Sequence, residues 1–245
     1  MSFFTAKKRG RRHPFCTALV AAAGSSSRMG EQGNKLLLPL DGKPVLVRTL
    51  EALCRAERVD EIVIAAREED IVPFSQLCHT YGIGLQKPVK VVRGGEARSD
   101  SVLRAALEAD RRAELLAVQD GDRPLVTPEL IDRVIELAAR CGAAAPAVPL
   151  RDTIKVVDGE TVVRTPERSS LAAVQTPQVF QTDLLKGALQ FAARNGWSIT
   201  DDCSAVERLG KAVYLTRGDD ENLKITLPLD LLVAEAILAR REGRG

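Results

Sequence analysis

The chain has few of the residues that announce a metal or redox protein. Two histidines, His13 and His79, stand without spaced ligand partners. Five cysteines (Cys16, Cys54, Cys78, Cys141, Cys203) are scattered, with no Cys-x-x-Cys among them. A zinc site needs such residues clustered, so that class is set aside. The odd cysteine count points to reduced thiols packed in a core, and hence to a cytoplasmic protein. No apolar run approaches the ~20 residues that cross a bilayer. Residues 1–13 lack the apolar stretch of a secretory signal. There is no Walker loop, because no Gly-Lys-Ser/Thr falls at the required spacing. There is no dinucleotide fingerprint either: Gly24, Ser26 and Met29 stand where three glycines are needed. A strong charge of one sign is also missing. Lys7, Lys8, Arg9, Arg11 and Arg12 lie in residues 1–13 without an acid, and without them the net charge of +2 becomes −3. The composition is that of a near-neutral domain behind a basic tail, with no nucleic-acid or membrane partner. Residues 1–14 are expected to be a disordered, solvated tail.

What is present fits a globular enzyme. Hydrophobic residues make up 45% and charged residues 28% of 245 positions, which suits one large α/β domain. Apolar runs with strand character alternate with helical periods. Strands are expected at 15–22, 61–66, 89–92, 115–118 and 143–148. Helices are expected at 45–57, 70–80, 99–111 and 127–140. Val45, Leu46, Thr49, Leu50 and Leu53 share one face of the first helix. Thr127 and Pro128 form a cap and first-turn pair for the last of these helices. This order predicts an α/β fold, with a doubly wound, mostly parallel sheet covered on both faces. The order then breaks. Two β-rich runs, 153–157 and 161–164, flank Asp158-Gly159 and predict a hairpin arm at about 150–172. With little apolar content to bury, the arm is either a solvated excursion or packs on a second subunit. Beyond it, strands are expected at 173–180, 213–216 and 224–226, and helices at 182–195, 201–209 and 229–240. The domain spans 15–245, without repeats or linkers.

Ligands of open parallel sheets bind beyond the carboxyl ends of the strands. The residues with chemical potential fall there repeatedly. After the first strand come Ala21 to Gly30, a small-residue run holding Gly24, Ser25, Ser26, Ser27 and Arg28, and then Lys35. Small residues let backbone N–H groups approach a phosphate, and Arg28 with Lys35 can neutralise a triphosphate. Gly94, Gly95, Glu96, Arg98 and Ser101 follow the third strand, and Asp120, Asp122 and Arg123 the fourth. An uncompensated carboxylate at the end of a buried strand is costly. Asp120 therefore calls for either a Mg²⁺ ion bridging phosphates or a salt bridge to Arg123. Ser99 or Ser101 is also placed to cap the following helix, and Thr200, Asp201 and Asp202 to cap a later one.

Taken in order, these motifs resemble one family. Ala-Ala-Gly-x-x-x-Arg-Met with a lysine seven residues after the arginine, Gly-Gly-x-x-Arg-x-x-Ser, Asp-x-x-Arg-Pro, Arg-Asp-Thr-x-Lys, Thr-Pro-Gln, Thr-Asp-Asp and Asn222-x-Lys224-x-Thr226 resemble the 2-C-methyl-D-erythritol 4-phosphate cytidylyltransferases over about residues 15–240. The resemblance implies a Rossmann-like nucleotidyltransferase fold. It implies transfer of CMP from CTP to a polyol phosphate, with pyrophosphate released and a divalent cation such as Mg²⁺ held at Asp120. Arg28, Lys35 and Lys224 would be catalytic. Ala22, Ala23, Gly24, Gly95, Glu96, Ser101 and Asp120 would hold the nucleotide. Arg123, Thr153, Arg168 and Thr200 would hold the polyol phosphate, with Thr153 and Arg168 supplied by the neighbouring subunit of a homodimer. Ser26, Gln119 and Asp122 depart from the family pattern. A ribitol-5-phosphate cytidylyltransferase shares the nucleotide motifs. A non-catalytic nucleotide-binding regulator is a further alternative, opposed by the presence together of Arg28, Lys35, Asp120 and Lys224.

Overall fold

A run of apolar residues with no polar alternation has to be covered on both faces, and this requirement organises the sheet. The computed structural model describes residues 13–24 and 34–244. β1 (Cys16–Ala22) lies at the centre. After it, β2 (Pro39–Leu40) and β3 (Lys43–Pro44) form a small ribbon leading into helix α1 (Val45–Arg55). β4 (Glu61–Ala66) is buried along its whole length. α2 (Ile71–Thr80), α3 (Ile83–Gln86) and β5 (Val89–Arg93) follow. Then come α4 (Arg98–Glu108), β6 (Leu115–Asp120), α5 (Pro128–Cys141) and β7 (Ala143–Pro149). β1 pairs in parallel with β4 and β6, and β4 with β5. The expected α/β alternation is therefore present, with boundaries shifted by a few residues.

Side-chain alternation assigns each strand to two cores. Cys16, Ala18 and Val20 face one side, with Ile62, Ile64 and Ala66 and with residues of α1, α2, α5 and α8 (Pro228–Arg241). Leu19, Val63, Ala65, Leu116 and Val118 face the other, against α4, α6 (Thr182–Arg194) and α7 (Asp202–Glu207). Each fully buried aliphatic or aromatic side chain there contributes about 1.5–3 kcal/mol. α5 starts as its sequence indicates: Thr127 Oγ1 accepts the Leu130 N–H at 3.3 Å, and Pro128 takes the first turn.

Beyond β7 the topology departs from the sequence reading in three ways. The strand expected at 173–180 is two strands, β10 (Ala172–Val174) and β11 (Gln178–Gln181). Pro177, which has no N–H for a ladder, lies in the gap. β11 runs antiparallel between β6 and β7, so those two strands are not neighbours. The sheet order is β10-β7-β11-β6-β1-β4-β5, with β12 (Tyr214–Arg217) added in parallel to β7. Finally, residues 224–226 join no ladder. Their polar groups are used elsewhere: the Ile225 N–H donates to Asp122 O at 2.8 Å, and the Thr226 N–H to Asp230 Oδ2 at 2.7 Å.

The arm is a separate two-stranded ladder of β8 (Val156–Asp158) and β9 (Thr161–Arg164), with Gly159 at a φ of +55° in the turn. It carries more apolar surface than its sequence suggests. Val157, Val162 and Val163 are 57%, 53% and 61% exposed, so the domain itself does not cover them. All five cysteines are free, and burial pushes the Cys78 thiol up to about 11.

Phe180 lies fully buried in β11, between the two strands it separates. Phe180→Ala is expected to lower unfolding stability by about 3–5 kcal/mol through loss of burial and the cavity left behind. Denaturant titration of the two proteins measures this.

Candidate active site

The carboxyl ends of β1, β4, β5 and β6 open on one edge, and the chain returns to it several times. At the end of β5, Gly94 donates its N–H to Ala66 O at 2.7 Å. A Cβ on Gly94 would stand 2.8 Å from both Ala23 Cβ and Ser101 Oγ, and one on Gly95 would collide with Asp100. Only glycine lets this loop lie so close to β1 and α4. Ser101 Oγ accepts the Gly95 N–H at 3.0 Å and donates to Ala97 O at 3.1 Å. Ser101 therefore shapes the loop rather than starting the helix, whose N-cap is Ala97. Ala22 is buried, Ala23 lies beside Gly94, and Gly24 and Glu96 are exposed. Arg28, with Ser26 and Met29, lies outside the described residues.

Asp120 ends β6 and is 6% exposed. Its backbone N–H donates to Thr176 Oγ1 at 3.1 Å. Three cations reach its carboxylate. Arg98 Nη2 donates to Oδ1 at 3.1 Å, Lys224 Nζ to Oδ2 at 2.8 Å, and Arg123 Nε lies 3.5 Å from Oδ2. Burial alone would raise this carboxyl; Arg98, then Lys224 and Arg123, outweigh it and hold the group well below the usual carboxylate range. The salt bridge to Arg123 anticipated from sequence exists, but it is one of three. Arg123 is itself largely buried, with Nη1 donating to Asn222 O at 2.6 Å. Asn222, 1% exposed, donates in turn to Thr176 O at 2.9 Å.

Asp122 brings the two lysines together. Lys35 sits in a short 3₁₀ turn that the buried Leu36 anchors and Asn34 caps through its side chain. Lys35 Nζ donates to Ile225 O at 2.8 Å and forms a short ion pair with Asp122 Oδ2. Lys224 Nζ lies 3.9 Å from Asp122 Oδ1. Lys35 and Lys224, 189 positions apart, thus flank the Asp120-Gly121-Asp122 segment. Gln119, also flagged by the sequence, is fully buried and donates from Nε2 to Asp120 O at 3.1 Å.

Sequence reading named two further members of this cluster without giving either a part in it. Arg98 Nη1 also donates to Asp202 Oδ2 at 2.7 Å, and Asp202 is wholly buried. Burial raises the Asp202 carboxyl above its usual range, against the pull of Arg98. The available signal was positional: Arg98 lies within the Gly-Gly-x-x-Arg motif, and Asp202 within Thr-Asp-Asp. Asp201 is indeed the N-cap of α7, accepting the Ser204 N–H at 2.9 Å. Thr200 is exposed beside it, its N–H 3.2 Å from Ser204 Oγ. Thr153 and Arg168 meet each other on the arm, where Arg168 Nη2 donates to Thr153 Oγ1 at 3.1 Å, and no contact joins them to the Asp120 cluster among the described residues.

A doubly wound sheet with glycine-formed loops and converging cations at its carboxyl edge is the setting of a nucleotide-binding enzyme. The comparisons narrow the class. Residues 16–240 match the model of the family described as 2-C-methyl-D-erythritol 4-phosphate cytidylyltransferase, and the chain belongs to that family. It is 45% identical to the protein of that name from Parasynechococcus marenigrum (strain WH8102), over 91% of this chain and 98% of the relative. It is 43% identical to the one from Bacillus cytotoxicus, over 91% and 97%. Among solved structures, 4-diphosphocytidyl-2C-methyl-D-erythritol synthase from Anaerococcus prevotii superposes with a TM-score of 0.82 at 28% identity, over 92% of this chain and 99% of that one. The Thermus thermophilus 2-C-methyl-D-erythritol 4-phosphate cytidylyltransferase gives 0.75 at 35% identity, over 91% and 98%.

Because folding lowers the Asp120 pKa, its stabilisation is complete above the unfolded value of about 3.9 and is lost as pH falls below it. Asp120→Ala should cost about 3–5 kcal/mol at pH 7, where the buried cations lose their partner. That deficit should narrow below about pH 4, where the unfolded wild type takes up a proton that the folded carboxylate still refuses. Denaturation midpoints across pH measure it, and a constant deficit would mean that the carboxylate is not held by ion pairing.

Proposed function

We propose that this chain transfers CMP from CTP to 2-C-methyl-D-erythritol 4-phosphate and releases pyrophosphate, in the non-mevalonate supply of isoprenoid precursors. The observation that carries this reading is the meeting of Lys35 and Lys224 at the Asp120-Gly121-Asp122 strand end. In the reaction a phosphate oxygen of the polyol phosphate attacks the α-phosphorus of CTP. A new P–O bond forms, the bond to the α–β bridging oxygen breaks, and pyrophosphate leaves with that electron pair. No proton has to be removed from a dianionic nucleophile. The demand on the protein is to align two anions and to stabilise growing negative charge.

The residues divide this work. Arg28 and Lys35 take the triphosphate, and Lys224 the α-phosphate. The backbones of Ala22, Ala23, Gly24, Gly95 and Glu96, with Ser101, read the cytosine and ribose. Asp120 and Asp122 present carboxylates at one strand end, and Asp122 Oδ1 has no hydrogen-bond partner among the described residues. That oxygen is the one open to Mg²⁺, which binds one or two carboxylates together with phosphate oxygens, whereas both oxygens of Asp120 already accept from Arg98 and Lys224. Such an ion would supply neutralisation of the triphosphate charge. Thr153, Arg168 and Thr200, with Arg123 behind Asp120, serve the polyol phosphate. The uncovered valines of the arm support a homodimer in which Thr153 and Arg168 reach the partner's site. Scattered free thiols fit a cytoplasmic enzyme.

The test is pyrophosphate release from CTP and Mg²⁺ with methylerythritol phosphate, and in a separate arm with ribitol 5-phosphate. Turnover of the first is expected. Turnover of ribitol phosphate alone would reassign the polyol, and nucleotide binding without turnover would make the protein a regulator. Lys35→Ala is expected to lower kcat at least ~100-fold with the fold intact, because one charge-stabilising donor is worth about 2.7–4 kcal/mol. A near-normal kcat would remove Lys35 from the reaction.

The shared site has its own test. Lys35→Ala and Arg168→Ala, each inactive alone, should regain some activity when their subunits are exchanged, since one site of the mixed dimer holds both intact residues. Verified exchange with no gain over either parent would place Arg168 in its own chain's site.

A further inference from the structure

Arg98 and Asp202 have no part in the reaction as described, yet Asp202 is the most deeply buried charge of the cluster and Arg98 is its cation. Arg98 is the first residue of α4, where the helix dipole disfavours a cation. Asp202 opens α7 with no exposed surface. Its Oδ2 accepts from Arg98 Nη1 at 2.7 Å, while Arg98 Nη2 reaches Asp120 Oδ1 at 3.1 Å. One guanidinium therefore spans two carboxylates, with a separate nitrogen of its planar fork for each. The anchor is fixed in its turn. The Asp202 and Cys203 N–H groups donate to Gln178 Oε1 at 3.1 and 3.0 Å, and Gln178 Nε2 donates to Asp201 Oδ2 at 2.8 Å. Gln178 stands opposite Val118 in the β11–β6 ladder, two residues before Asp120. The strand pair that carries Asp120 thus also carries the support for Arg98. Buried ion pairs of this kind seldom recover their desolvation cost as stability, so another role is indicated.

We propose that Arg98, held from behind by Asp202, is a positioning residue: it takes one oxygen of Asp120, leaves the other to Lys224, and so fixes where the Lys224 ammonium stands toward the α-phosphate. This rests on the cytidylyl-transfer reading above. Lys224 Nζ is 2.8 Å from Asp120 Oδ2, the oxygen Arg98 does not use. If Asp202 loses its charge, Arg98 closes on Asp120 and Lys224 loosens. The site also gains one unit of net positive charge, so attraction for the triphosphate does not fall. The signature is a lower kcat without a higher KM for CTP, which simple loosening of the fold does not give.

The experiment begins with wild-type turnover. If wild type does not release pyrophosphate from CTP, the reading above fails. On an active wild type, Asp202→Asn, Arg98→Lys and the double variant are measured for kcat, KM for CTP and melting temperature. Each single variant is expected to lower kcat by about 10–100-fold, the effect of misplacing a supporting group. KM for CTP should stay within about twofold or fall, and the double variant should be no worse than the worse single one, because the two residues act as a unit. A folded Asp202→Asn with kcat within about threefold of wild type overturns the proposal, as do losses that multiply in the double variant. A KM that rises as kcat falls also overturns it. If Asp202→Asn does not fold, Arg98→Lys is judged alone by its kcat and KM.

Discussion

A carboxylate at the end of a buried strand is the constraint around which this molecule is arranged. Asp120 is nearly excluded from water and remains ionised only because three cations meet it, one from its own loop and two from elsewhere in the chain. Removing such a charge from water costs several kcal/mol, and a single partner seldom offsets that. Arg98, Arg123 and Lys224 together do so, and each arrives on a different connection at the carboxyl edge. The doubly wound topology makes this possible, since parallel strands deliver all their outgoing loops to one edge.

The cluster has a regular charge order. Lys35, Asp122, Lys224, Asp120, Arg98 and Asp202 alternate in sign, each in ionic contact with the next. Arg123 joins beside Asp120. Four cations thus face three anions, so the described part of the site is close to neutral on its own. An incoming polyphosphate does not meet a bare cationic pit. Under the proposed roles of the two lysines, it has to compete with Asp122 for Lys35 and with Asp120 for Lys224. That competition holds both lysines in place when no ligand is bound, which limits the reorganisation needed when charge develops on the ligand.

The sequence revealed the frame better than the wiring. β1, β4 and β6 were legible because strands covered on both faces are continuous apolar runs. α5 was legible because Thr127 and Pro128 are start signals with a local cause. The antiparallel entry of β11 between β6 and β7 was not, since apolar runs do not encode strand order. Residues 224–226 read as a strand by composition and are instead held by Asp122, Asp230 and Lys35, partners that no local pattern reveals. Asp202 and Arg98 lie 104 positions apart. A charged residue in sequence reads as solvated until its partner is placed, so a fully buried carboxylate was out of reach of composition and spacing.

The arm follows a different rule from the rest of the site. Its ladder involves only its own two strands and is separate from the central sheet. Thr153 and Arg168 flank that ladder, one before β8 and one after β9, and a hydrogen bond holds them together. The pair is therefore carried as one unit wherever the arm docks. A hairpin that short is marginal alone in water, and its Val157, Val162 and Val163 are each more than half exposed. In the homodimer proposed above, burial of those valines against the partner would meet both deficits and carry the Thr153–Arg168 pair with the arm.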